Sequence, residues 1–297
     1  MVTVSSPFNP EFLLNALQVP YPGYTPGDAE DLYAALSQIR VDLEERWPGR
    51  VGASSLLGYS LGGIETVFIA GRDPARLESE LRFERFVAIN PPVDLRFAAG
   101  AFDDYFDAPL RWPDAERDQR VRELAMKVLV VALEGTENGL PFDRTESEFL
   151  VGLAGRTTLV STLGAIEARG APVLTGENGK HRGPLLEQIG RSSLRNYAEE
   201  LAIPFYAERF PDIPPETLAA RAGLRAQERV LRDDPRVRVL TNADDFILGE
   251  SNLAWLQGVM GARLTVFPGG GHLGNLHLEP VQQAVLRALG APEGAAE

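Results

Sequence analysis

Apolar positions along this chain follow two rhythms. Over residues 27–46, Leu32, Leu36, Ile39 and Leu43 recur at three- and four-residue intervals, which predicts an amphipathic helix. Residues 51–57, 86–89 (FVAI), 236–241 (RVRVLT) and 263–267 (RLTVF) are instead short runs of small, apolar or alternating residues that read as strands, those at 51–57 and 86–89 buried. Helical patterns follow them at 61–70 (LGGIETVFIA) and 251–260. The last helix carries the stripe Val281, Ala284, Val285, Ala288 and Leu289, with Pro280 at its start. Near the beginning, VTVS (2–5) reads as a short strand, and Asn9-Pro10 as the cap of a brief helix over 10–17. Strands alternating with helices predict an α/β fold: a mostly parallel sheet covered by helices on both faces.

Residues 99–235 read differently. Helical patterns occupy 114–134, 144–154, 193–203 and 214–232, prolines interrupt at 172, 204, 211, 214 and 215, and convincing strands are few. The expected organisation is therefore a core built from 1–98 and 236–297, with a helical insert over 99–235. The tail GAPEGAAE is expected to fray.

Composition narrows the function classes. The chain has 297 residues, 44% of them hydrophobic, enough for a substantial core. A formal net charge of −13 is the opposite of a nucleic-acid footprint and argues against an anionic membrane surface. There is no cysteine, which excludes disulfides, thiolate metal sites and cysteine nucleophiles. No apolar run approaches a membrane span. Residues 1–20 show neither a basic n-region nor a long apolar h-region, so no signal peptide is visible and no compartment is assigned.

The stretch with candidate chemistry is LLGYSLGGIE, residues 56–65. A Gly-x-Ser-x-Gly match is weak alone, but Ser60 stands where a buried strand meets a helix, the setting of a nucleophile elbow. There, glycines at 58 and 62 would let strand and helix approach closely, and the Leu61 N–H at the helix head is the natural oxyanion donor. A serine hydroxyl needs a base and a carboxylate to orient that base. Three histidines exist. His181 lies in the insert, His277 opens the last helix as a cap residue, and His272 follows the last strand after three glycines that allow the backbone to present its ring. The acid is expected in TNADDFIL, after the preceding strand: Asp245, with apolar residues behind it to anchor the loop, ahead of Asp244 as a turn residue. Asp94, in INPPVDL, is a further alternative whose simplest role is a turn.

In chain order the candidates run Ser60, Asp245, His272. GYSLGG, NADDFIL and PGGGHLGNL resemble the nucleophile, acid and histidine segments of α/β-hydrolase superfamily serine hydrolases, over residues 50–95 and 236–290, and the helical insert resembles the cap of such enzymes. The resemblance implies a serine hydrolase acting on carboxylic esters through an acyl-enzyme, with no cofactor and no metal, and a small-molecule ester or acyl substrate. Acyl transfer to another acceptor, or an inactive binding module on the same fold, are the alternatives. One departure is plain. In that pattern the nucleophile follows a fifth strand, and the third strand carries a second oxyanion donor; here only residues 2–5, placed as the fourth strand, precede it. The leading expectation is a chain shortened at its start; the others are that residues 2–5 act as the third strand, with the backbone near Ser6 and Phe8 as donor, or that activity has been lost.

Other motifs fail. GGGHLG (269–274) satisfies G-x-G-x-x-G, but the chain then supplies one helix and stops, without the second strand and acidic residue a dinucleotide needs. TGENGKH lacks the spacing of a phosphate loop, no HExxH or histidine cluster suggests a metal, and the sign-alternating RLESELRFERF reads as a solvated helix face.

Overall fold

The computed structural model describes residues 1–72, 81–135, 139–173 and 185–290. Helix α1 (Pro10–Asn15) is capped as the sequence suggests: Asn9 accepts from the Glu11 amide, and the proline occupies the first turn. Helix α2 (Thr25–Arg46) follows, then β1 (Ser54–Tyr59), α3 (Leu61–Arg72) and β2 (Phe83–Ile89). Beyond β2 come α4 (Leu95–Phe106), α5 (Asp114–Glu134), α6 (Arg144–Ala168), α7 (Leu185–Arg191), α8 (Leu194–Asn196), α9 (Ile203–Arg209), α10 (Pro215–Ala222) and α11 (Glu228–Asp233). The chain closes with β3 (Val237–Asn242), α12 (Glu250–Met260), β4 (Leu264–Phe267) and α13 (Glu279–Ala288).

Among the described residues the four strands form one parallel sheet in the order β1-β2-β3-β4. Along β2, Phe86 and Ala88 enter one apolar cluster, with α2, α3 and α12; Val87 and Ile89 enter a second, beneath α13. Both faces are covered, so an alternating side-chain direction still produces an uninterrupted apolar run. The cluster on the α3 side also takes in Leu159, Leu163 and Ile166 of α6, so the helices between β2 and β3 share one core with the sheet.

Four expectations need correction. Residues 2–5 form no strand: Val2 is exposed, Val4 only packs against the core, and a turn closed by the Asn9 amide on the Ser6 carbonyl leads into α1. Local β-propensity is not enough without a ladder partner. The Phe8 amide is taken by Ser6 Oγ, so it is not the spare donor that the alternative placement required. FERF (83–86) belongs to β2 rather than to a helix face, because β2 lies between the two cores; residues 76–80 of that stretch lie outside the described residues, as do His181, TGENGKH and 291–297 of the tail. The helical pattern at 144–154 continues to 168, and α6 is long and apolar enough by length and composition to cross a membrane. Here it buries Leu159, Leu163 and Ile166 in the protein core, and its Arg156 bonds the buried Asp103 of α4. Asp103 also accepts from Ser193 Oγ and the amides of Leu194 and Arg195, tying α4, α6 and α8 together.

The stretches at 193–203 and 214–232 are also resolved more finely than the period suggested. The first runs through a π-helical segment, 197–202, into α9, which places Pro204 in the first turn of a new helix where its missing N–H does no harm. The second breaks at Gly223 into α10, a short 3-10 turn and α11.

Under the site, two acids sit where water does not reach. Asp28 of α2 and Glu65 of α3 are each 1% exposed, and Asp28 Oδ1 and Glu65 Oε1 have no hydrogen-bond partner. Burial drives the Asp28 carboxyl up to about 7, with Asp31 pushing the same way against the Gly23 amide; burial, then Asp28, holds Glu65 well above its ordinary range. The folded chain therefore binds these protons more tightly than the unfolded chain. Asp28's contribution to stability is fully present below ~pH 4, the unfolded carboxyl range, and is lost as pH rises through about 7, and that of Glu65 is lost in the same direction. Thermal unfolding across this range should show wild type losing stability as pH rises, and Asp28→Asn or Glu65→Gln flattening that slope. An unchanged slope in both variants would remove these acids from the account.

Candidate active site

The site is assembled at the carboxyl ends of the strands. Each strand hands its outgoing loop to the next: the Ser60 amide donates to Ile89 O of β2, the Asn90 amide to Leu240 O of β3, and the Ala243 amide to Phe267 O of β4. These bonds, 2.8, 2.8 and 2.9 Å long, extend the parallel ladder past its regular end and fix three loops relative to one another.

Ser60 sits at φ 53° between β1 and α3. The close approach of those two elements is real but falls on one glycine. A Cβ on Gly58 would lie 1.9 Å from Gly62 O and 2.5 Å from Thr66 Oγ1, whereas one on Gly62 would meet nothing within 4 Å. The expectation that both glycines are sterically required is thus right for Gly58 and wrong for Gly62, because the Gly62 Cα points away from the strand. Gly63 is the second tight position, where a Cβ would lie 3.3 Å from Gly58 O and Ile89 O. Leu61 heads α3, and the leading amides of a helix have no acceptor within it. Its N–H and the positive end of the helix therefore lie directly after the serine.

His272 bridges the two other candidates. Its Nε2 is 2.8 Å from Ser60 Oγ, and its Nδ1 is 3.0 Å from Asp245 Oδ2 and 3.2 Å from Oδ1. The Asp245 side chain is 1% exposed and that of His272 10%. The carboxylate also accepts from Asn90 Nδ2 at 2.7 Å and the Ile247 amide at 3.1 Å, so three donors converge on it. Ile247 and Leu248 are buried behind it, the anchoring the sequence suggested.

The remaining candidates fall elsewhere. Asp244 accepts from the Gly270 and Gly271 amides, fastening the histidine loop rather than meeting the ring. Asp94 caps α4, accepting from the Arg96 and Phe97 amides. His277 is exposed; it does not cap α13, and only its carbonyl is engaged, by Gln282.

Several neighbours carry no sequence signal. Phe102 of α4 and Phe246 stand edge-on to the imidazole with ring centres 6.3 and 5.9 Å away, and Tyr105 stacks on Phe246 at 4.1 Å. This aromatic wall shields the imidazole from solvent. The three non-glycine residues with left-handed backbone among the described residues are Ser60, Asn90 and Leu273. All three belong to this site. Such conformations cost roughly 1–3 kcal/mol each unless, as with asparagine, the side chain tolerates them, and they persist where surrounding structure enforces them.

Chemically, the arrangement can polarise a hydroxyl. A neutral imidazole protonated at Nδ1 donates to Asp245 and leaves Nε2 free to accept the Ser60 proton. Comparison with protein-family models and with curated proteins finds no match. Among solved structures, the chain is similar to the crystal structure of esterase E22, at 14% identity and a TM-score of 0.35, over 88% of this chain and 66% of that one.

The glycine assignment is open to a direct comparison. Gly58→Ala should cost at least about 3 kcal/mol in urea or thermal unfolding, since backbone must move to admit the methyl. Gly62→Ala, at an open helical position, should stay within about 1 kcal/mol of wild type or be more stable. Equal effects would contradict the elbow geometry.

Proposed function

We propose that this chain is a serine hydrolase of the α/β-hydrolase type that cleaves carboxylic esters. The observation that carries the reading is the unbroken hydrogen-bond chain from Ser60 through His272 to Asp245. In this mechanism Ser60 Oγ attacks the ester carbonyl carbon while His272 Nε2 takes the serine proton. Asp245 orients the ring and balances the imidazolium charge. The negative charge on the carbonyl oxygen develops beside the Leu61 N–H and the head of α3. Collapse of the tetrahedral intermediate breaks the bond to the alcohol oxygen, which leaves with the proton held on Nε2. Water then enters: His272 takes its proton as the water oxygen bonds the acyl carbon, and the proton passes to Ser60 Oγ as the acyl–serine bond breaks and the carboxylic acid departs. In each half of the cycle the imidazole takes up one proton and gives it back.

The strained backbone at Ser60 favours an active enzyme over an inactive relative. A serine retained only as a turn residue gains nothing from a left-handed φ that glycine adopts without cost. The helices between β2 and β3, read as a cap insert over 99–235, would select the substrate through the wall of Phe102 and Tyr105 beside the reacting centre. They would also limit water there.

A fluorophosphonate probe tests the reading, since it reacts only with an activated serine. Wild type should label and hydrolyse short p-nitrophenyl esters, and Ser60→Ala should abolish both. Folded wild type that refuses the probe would refute the proposal. Asp245→Asn should lower turnover by about four orders of magnitude, by removing the partner of Nδ1–H. Asp244→Asn loses at most two amide bonds of about 1 kcal/mol each and still keeps an acceptor, so its effect should be about tenfold or less. Equal or reversed effects would move the acid role from Asp245.

A further inference from the structure

Three consecutive glycines, 269–271, immediately before His272 should be the loosest part of the site, because glycine loses the most backbone freedom on ordering. The loop is instead held at every polar backbone group from Gly269 O to Gly271 O. Gly269 O accepts from Asn275 Nδ2 at 3.1 Å. The Gly270 and Gly271 amides donate to Asp244 at 3.3 and 2.8 Å. Gly270 O accepts from the Gly274 amide at 2.9 Å, and Gly271 O from Asn242 Nδ2 at 2.7 Å.

The centre of this arrangement is a reciprocal amide pair. Asn275 Nδ2 donates to Asn242 Oδ1 at 2.7 Å, and Asn242 Nδ2 returns a bond to Asn275 Oδ1 at 3.2 Å. Both residues are buried, at 4% and 1% exposure. Asn242 is the last residue of β3, so the pair joins the loop to the rigid end of the sheet. Gly270, at φ 137°, lies so close over Asn275 that a Cβ there would be 2.4 Å from Asn275 Cγ. The loop is packed onto the amide as well as bonded to it.

We infer that Asn275, acting through Asn242 and the 269–271 backbone, is a positioning residue for the His272 imidazole. This rests on the serine hydrolase reading for its kinetic consequence, though not for its structural one. The Asn275 amide bonds the loop backbone and Asn242, and neither the imidazole nor Ser60 is among its partners. Its contribution is to make one ring placement, between Ser60 Oγ and Asp245, the resting one. A ring free to sample others spends less time in line with the serine, which lowers kcat and leaves substrate binding alone.

The variants are Asn275→Asp, which keeps the volume but sets a carboxylate oxygen where the donor faced Asn242 Oδ1 and Gly269 O, and Asn275→Ala, which removes the amide without adding a charge. With a soluble p-nitrophenyl ester, both should lower kcat by about 10- to 100-fold, with KM within about twofold of wild type. Fluorophosphonate labelling should slow by a similar factor. Two further measurements do not depend on activity. The His272 Nδ1–H proton resonance should be sharp and downfield in wild type and broadened or lost in the variants, and the Gly271 amide of wild type should exchange slowly with solvent. Wild type that fails to label but shows the sharp resonance and a protected Gly271 refutes the hydrolase reading and leaves the positioning role standing. Variants that keep wild-type kcat and the His272 resonance, and lose only thermal stability, overturn the positioning role. So does a Gly271 amide exchanging at the rate of an unstructured chain.

Discussion

One imidazole joins segments that lie far apart in the chain: His272 is 212 residues from the hydroxyl on one side of its ring and 27 from the carboxylate on the other. A hydrogen bond tolerates a few tenths of an ångström and some tens of degrees before it fails. Two such bonds at the opposite nitrogens of one rigid ring therefore constrain three loops together. The parallel sheet makes this possible. Its strands all end at one rim, and the bonds from Ser60, Asn90 and Ala243 to the neighbouring strand lock each loop to the next. The core beneath needs only to keep four strands in register, and its two apolar clusters do that from both faces.

Much of this was legible because it follows from period and punctuation. Helix α5 spans the same residues, 114–134, that its pattern marked out, α3 begins at the expected residue 61, and β2 ends at the expected residue 89 though it starts three residues earlier than its apolar run. Ser60, Asp245 and His272 were each identifiable as polar residues directly after a strand, and the choice of Asp245 over Asp244 followed from the apolar residues behind it. What period and punctuation cannot reveal is pairing. VTVS has the composition of a strand, yet no strand among the described residues pairs with it, and no property of four residues reports that. Gly62 shows the same limit from the other direction: the spacing of the two glycines suggests symmetric roles, while the local path of the backbone gives the close contact to Gly58 alone.

The supporting amides were illegible for a related reason. Asn90 and Asn242 follow or end an apolar run, and Asn275 stands in the glycine-rich stretch PGGGHLGN, all places where asparagine ordinarily reads as a turn residue. Their importance lies in the partners that the fold brings to them: a buried carboxylate for Asn90, and each other's side chains for Asn242 and Asn275. The aromatic wall of Phe102, Tyr105 and Phe246 is similar. Two of its members lie on α4 and pack as any amphipathic helix might, until the loop carrying Asp245 places Phe246 against them.

The buried Glu65 bears on the site from below. It lies on α3, about one turn beyond the residue whose N–H would face the oxyanion. An ionised carboxylate there would set a full negative charge against the half-unit of positive charge that a helix head carries and, in the proposed reaction, would oppose the oxyanion. Burial, then Asp28, pushes that carboxyl towards its neutral form, which spares the field at the mouth of α3. The unpartnered Oε1, which looks like a defect in packing, then favours the neutral form that leaves the helix head its field.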